Sequence, residues 1–215
     1  MKKTCLFIFL FFIQNSTSQE YFFDRLIHYK TTSISFSGSD DLIIFFNSKN
    51  TSYYLINRSW NEEMNTFLID YNLNITHSYI NKNIKENNDY RYLYSKRFNP
   101  DNCVIDCAKI TLDESSNGGQ FSKILLSKYT NKKKKKKEYE IEVISKPYDF
   151  AVLKPLIKIM EHHFLFCDEL IVESNSIPTS SKLIKKGQVM TAQSLFEEKS
   201  VAIYFTVQNK DLVFK

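Results

Sequence analysis

The residue types that could carry chemistry in this chain are few and scattered. Cys103, Cys107 and Cys167 are three thiols, and His162 and His163 shortly precede the last of them. A Cys-x3-Cys pair with a distant His-His-x3-Cys matches no common zinc spacing, and adjacent histidines on a strand point to opposite faces. No metal site is therefore expected. In an extended strand Cys103 and Cys107 would lie on one face about 13 Å apart, too far for a disulfide, so they can pair only across a turn. Asp40-Asp41 and Glu62-Glu63 are neighbouring carboxylates. Neighbours on a strand diverge, which suits a solvated surface better than an acid–base pair. No phosphate loop, dinucleotide fingerprint, H-E-x-x-H or G-x-S-x-G is present. A nucleophile, base and oxyanion donor cannot be assembled, so the expectation is a protein without catalysis and without a cofactor.

Charge is the next chemical feature. The formal net charge is +5. Lys132, Lys133, Lys134, Lys135, Lys136 and Lys137 form one uninterrupted run. Such a block cannot pack and is expected to be a solvated loop between two strands. It could bind a polyanion, and outside the cell a glycosaminoglycan is the better candidate. No aromatic residues interleave the run, which argues against nucleic acid. Without Lys2, Lys3 and this run the remainder is mildly acidic, so the basic balance is local.

The first eighteen residues explain the compartment. Lys2 and Lys3 precede the apolar stretch Cys5 to Ile13, and polar and small residues lead to Ser-x-Ser at 16–18. These are the parts of a secretory signal peptide, Met1–Ser18, with Gln19 as the new terminus. Nine apolar residues are too few to span a bilayer, which needs about 20. No later run is longer, so no transmembrane segment is expected, and the mature chain should be secreted or a truncated ectodomain. Asn50-Thr-Ser, Asn57-Arg-Ser and Asn74-Ile-Thr are glycosylation sequons, all in the N-terminal half; Asn15 falls in the signal. Glycans there would cover one end of the molecule. In an oxidising compartment three remaining cysteines leave one without a partner in the chain.

The elements that must position these groups read as β. Ser33–Ser37 alternates strictly, and Leu42–Phe46 is a continuous apolar run. Tyr53–Ile56, Tyr90–Tyr94, Phe121–Leu126, Tyr139–Ile144 and Val201–Val207 follow at strand-like spacing. β-Branched and aromatic enrichment predicts an all-β, antiparallel sandwich or barrel. Trp60–Ile69 and Leu153–His162 could each form one short helix. Residues 81–89 are polar and Asn-rich, as an exposed loop would be. A strand ends at Lys146-Pro147, since proline cannot extend a central ladder. The mature chain divides there, into 20–146 and 147–215.

Some of these runs resemble the immunoglobulin superfamily. Within Ala108–Lys123, Asn117, Gly119, Phe121 and Lys123 stand where immunoglobulin domains carry D-x-G-x-Y-x-C. Tyr139–Ile144 resembles the final strand, with Lys146-Pro147 as the exit. The first-cysteine position falls in Leu42–Phe46, which has no Cys, so both members of the inter-sheet pair are absent together. In the second part His163–Cys167 looks like a first cysteine strand. Ser176-Ile-Pro-Thr and Lys182–Val189 are similar to an I-type stretch, with Leu183 nearest the place of the core Trp, which is absent, and Gly187 and Gln188 in a hairpin. Val201–Val207 with Gln208–Asp211 resembles the strand and turn before a second cysteine. The resemblance implies a degenerate sandwich without an inter-sheet disulfide, followed by an incomplete one whose partner for Cys167 would lie beyond Lys215. It also implies a secreted or ectodomain adhesion or binding module for an extracellular protein ligand or receptor. A second reading is a lineage-specific secreted β-rich protein of another class, binding polyanions through Lys132–Lys137.

Overall fold

A computed structural model describes residues 18–34, 36–60, 63–81, 90–97, 108–113, 122–149, 152, 156 and 175–208. Among the described residues there are eleven strands: β1 Gln19–Ser33, β2 Phe36–Asn47, β3 Asn50–Trp60, β4 Glu63–Asp70, β5 Ile75–Asn81 and β6 Tyr90–Arg97. Then come β7 Ala108–Asp113, β8 Ser122–Tyr129, β9 Lys137–Pro147, β10 Ser176–Lys185 and β11 Gln188–Val207. The all-β, antiparallel expectation is met. Where a helix was expected over Trp60–Ile69, the described residues are Trp60 at the end of β3 and Glu63–Ile69 of β4. The register of β4 with β3 puts Leu55 opposite Leu68 and Ile56 opposite Phe67, so cross-strand packing overrides a weak helical pattern. Ile34, in the alternating Ser33–Ser37 stretch, lies in the turn between β1 and β2.

The strands do not divide into two sheets. They form one sheet in the order β6-β5-β4-β3-β2-β1-β11-β10-β9-β8-β7. Two sequential meanders are joined by β1 and β11, paired from Gln19↔Val207 to Ser33↔Thr191. A division at 146/147 would separate hydrogen-bonded neighbours, because β9 pairs with β10 and β1 with β11. The Pro147 that ends β9 lies opposite Ser176 at the start of β10.

This sheet cannot be flat. Arg97 ends β6 at one edge and Ala108 starts β7 at the other. Eleven residue steps reach at most about 40 Å, whereas ten strand spacings in a plane measure about 48 Å. The side chains show where it curls. Phe205 on β11 lies with its ring 5.1 Å from that of Tyr79 on β5 and 5.6 Å from that of Tyr90 on β6. In the plane β11 and β5 would stand about 24 Å apart, beyond the reach of two aromatic side chains. β11 and β1–β6 therefore close on one face, called here the inner face.

A core fills that face: Tyr21, Phe23, Leu26, Phe45, Leu55, Leu68, Tyr79, Phe205 and Val207. The opposite, outer face carries a second core of Ile27, Tyr29, Leu42, Ile44, Phe46, Tyr54, Ile56 and Ile69, covered by Val152 and Leu156. Leu42–Phe46 is continuously apolar because alternate residues serve the two cores. Along β1 the alternation slips by one residue near Asp24, since Tyr21, Phe23 and Leu26 face inward while Ile27 and Tyr29 face outward. Register with β11 also shifts there. The Asp24 carboxylate fills the irregularity by accepting the Ser48 N–H at 2.7 Å and its hydroxyl at 2.5 Å. Bulges of this kind bend a strand, and the 20-residue β11 carries two against β1 and a third against β10.

The inner core also holds polar groups. Asp70 accepts from the Tyr21 hydroxyl at 2.9 Å and, through its other oxygen, from the Leu73 N–H at 3.0 Å. Burial, then the Asp70 carboxylate, pushes the Tyr21 phenol well above its usual value. His77 is 1% exposed. Its Nδ1 lies 2.6 Å from the Ser95 hydroxyl, which lies 2.7 Å from that of Tyr92, and its Nε2 is buried with no partner. Burial lowers the His77 pKa below 6.5, with Asp70 opposing.

Two outcomes follow from this packing. Phe205→Ala should cost about 3–5 kcal/mol in denaturant unfolding, whereas Tyr204→Ala, at a side chain 65% exposed, should cost under about 1 kcal/mol. His77 takes its proton more readily unfolded than folded, so its contribution is intact above pH 6.5 and falls as pH drops through that value. Melting curves of wild type and His77→Gln between pH 7.5 and pH 5 should differ in slope, the variant losing less stability. Parallel curves would contradict this.

Candidate functional site

Antiparallel order places the turns at two ends of the sheet. The β1–β2, β8–β9 and β10–β11 turns share one end, and the β2–β3 and β4–β5 turns share the other. The lysine run lies at the first end. It is a solvated turn between two strands, as expected, and its backbone is folded: the Thr130 N–H donates to the Lys136 carbonyl and the Lys134 N–H to the Asn131 carbonyl, both at 3.0 Å. Lys134 takes a left-handed φ of 51°, a strain of about 1–2 kcal/mol for a residue with a Cβ. Residues 131–138 are all exposed. Lys137 pairs with Glu140.

Beside it stands a second basic turn. Lys185 pairs with Gln188 across a two-residue loop. Lys186 and Gly187 have φ of 51° and 79°, the paired positive values of a type I′ hairpin. Only Gly187 adopts this without strain. Because β9 and β10 are neighbours, the two hairpins emerge one strand spacing apart, about 5 Å between backbones. Within these two hairpins Lys132–Lys137, Lys185 and Lys186 stand with the carboxylates Glu138 and Glu140. Exposed Lys109 on β7 is at the same end. Further down the strands the balance differs: Glu142 holds Lys123 at 2.7 Å and Lys182 at 3.8 Å. Like charges crowded at one end raise the local positive potential. Lys185 and Lys186 are 48 residues or more from the run and are absent from the sequence-based site. The immunoglobulin resemblance implied a hairpin at Gly187 and Gln188, but strand neighbours had to be known.

The sequons separate by position. Asn50 starts β3 at the end opposite the lysines, exposed, with its Oδ1 accepting from the Ser52 N–H at 3.1 Å and hydroxyl at 2.6 Å. Asn74 is in the β4–β5 turn at that same end, half-exposed, with φ 54°. Asn57 is different. It points into the inner core at 5% exposure, accepting from the Thr66 hydroxyl at 2.8 Å and donating to that of Tyr90 at 3.5 Å. A glycan on its Nδ2 has no path to solvent in this fold, because burial and the Tyr90 contact occupy the atom.

Other candidates resolve as follows. Asp40 and Asp41 diverge; Asp41 lies 2.9 Å from His28 Nε2 and 4.0 Å from Lys30, with no hydroxyl or thiol bonded to His28 among the described residues. Cys103, Cys107, Cys167, His162, His163 and residues 1–17 of the expected signal peptide Met1–Ser18 lie outside the described residues. Among the described residues no three His, Cys, Asp or Glu side chains gather in a way that could hold a metal ion. No described helix is long and apolar enough to cross a membrane.

No family model matches the chain, and no curated protein matches it. Among solved structures it is similar to a LolA superfamily protein from Nitrosomonas europaea, at 10% identity and a TM-score of 0.28 over 86% of each chain. At that score the likeness decides nothing about fold or activity.

When the chain is produced through a eukaryotic secretory route, peptide mapping should find glycan on Asn50 or Asn74 and none on Asn57. Occupancy at Asn57 in folded, secreted protein would contradict the inward placement of β3.

Proposed function

We propose that this is a secreted, non-catalytic binding protein that engages a polyanion through its basic end. The reading rests on one observation: hairpins from distant parts of the chain bring Lys132–Lys137 together with Lys185 and Lys186. A flexible lysine tail would carry the same charge, but ordered turns hold it in a fixed array, so less side-chain and loop freedom is lost on binding. The polarity of the molecule supports the same reading. The exposed Asn50 and half-exposed Asn74 sequons lie at the far end, so glycans placed there leave the lysine end open. Secretion is supported by the composition of Met1–Ser18.

Heparin serves as the test polyanion. Wild type should be retained at low salt and elute on a gradient, because exposed charge pairs are screened over about 10 Å at 0.1 M salt. Replacing all six of Lys132–Lys137 by Gln should shift elution to clearly lower salt, and adding Lys185→Gln and Lys186→Gln should shift it further. Unchanged elution of the eight-fold variant, with an unchanged melting temperature, would exclude this end as the contact.

A further inference from the structure

The basic end also carries apolar side chains that a purely ionic contact does not use. Ile34, in the β1–β2 turn, is 66% exposed, and Val189, beside the β10–β11 turn, is 39% exposed. They are close neighbours, since the Ile34 N–H donates to the Met190 carbonyl at 3.0 Å. Val189 in turn pairs with Ile184, one residue before Lys185. Along this end run, in strand order, Ile34, Val189 with Lys185 and Lys186, then Lys132–Lys137. The row spans three strand spacings from β1 to β9, about 14 Å.

We propose that this end docks on an anionic bilayer surface, with the lysines on the headgroups and Ile34 and Val189 entering the acyl boundary. The proposal rests on the polyanion reading above and names the partner. Charge complementarity selects a negatively charged surface, where each nearby lysine strengthens binding several-fold. The apolar pair separates a lipid surface from a glycosaminoglycan, because a sulfated sugar chain offers no apolar phase in which to bury Ile34 or Val189. β-Turns project from a stiff sheet end, so the pair can enter the interface without unfolding any strand. Phe196, also exposed, is excluded from the contact: it lies down β11, with its ring 5.0 Å from that of His28 and 4.7 Å from Lys30 Nζ.

The test is co-sedimentation of the purified full chain with phosphatidylcholine–phosphatidylserine vesicles and with pure phosphatidylcholine vesicles, run beside heparin elution. Wild type should bind the anionic vesicles and leave the neutral ones. Ile34→Ser with Val189→Ser should weaken vesicle binding about tenfold or more and leave heparin elution unchanged. Lys185→Gln with Lys186→Gln should weaken vesicle binding about tenfold or more and lower heparin elution. Both apolar positions are exposed, so circular dichroism of the serine variant should match wild type. Retention on heparin without vesicle binding, or vesicle binding indifferent to the serine substitutions, overturns the membrane proposal and leaves the polyanion reading standing. Failure of wild type on both supports overturns the two together.

Discussion

The ladder between β1 and β11 is what makes one molecule of two meanders. β1–β6 pair in sequence, β7–β11 pair in sequence, and the described strands of the two sets are hydrogen-bonded to each other through this ladder. Its partners are the first and the last strands, so it closes the longest loop in the chain, at a large entropic cost that slows such pairing. Both strands are long and irregular for a reason. Their lower halves turn Tyr21, Phe23 and Phe205 into the inner core, while higher up Ile27 and Tyr29 turn outward. The slip at Asp24 and the bulges in β11 let a single ladder serve two cores on opposite faces.

The inner core depends on that ladder. Phe205 is placed by β11, yet its ring contacts are Tyr79 and Tyr90 on β5 and β6. Edge-to-face aromatic pairs span the closed face, and Asp70 ties β4 to β1 through Tyr21. The polar residues His77, Asn57 and Asp70 make that core specific at some cost. Asn57 and Asp70 find partners, whereas His77 leaves one ring nitrogen unpaired. Buried polar groups without a full set of partners are costly, so this corner is poised to lose stability when the imidazole is charged.

The same ladder arranges the surface. It sets β10 beside β11 and so brings the Lys185–Lys186 hairpin to the end where Lys132–Lys137 and Ile34 lie. Antiparallel alternation sends the turns bearing Asn50 and Asn74 to the other end. A molecule with potential glycans at one pole and lysines at the other has its charge where contact is sterically open, which is the physical content of the proposed binding role.

Much of the strand content was legible in the residues. Leu42–Phe46, Tyr53–Ile56, Tyr90–Tyr94, Tyr139–Ile144 and Val201–Val207 all lie in strands, because β-branched and aromatic side chains at period two report a local backbone preference. The lysine turn was legible too, since six adjacent charges cannot be buried. Which strands are neighbours was not. A period-two pattern reads the same in a two-sheet sandwich and in one curled sheet, and no cysteine pair chose between them among the described residues. The helix at Trp60–Ile69 rested on a local signal that long-range pairing overrode, whereas the partition at Pro147 and the sequon at Asn57 were read without the β9–β10 ladder or the inward-facing side of β3. The local chain determined strand, turn and charge. Only tertiary structure decided that β1 meets β11, that Asn57 turns inward, and that lysines 48 residues or more apart share one end, because these depend on register between segments far apart in sequence.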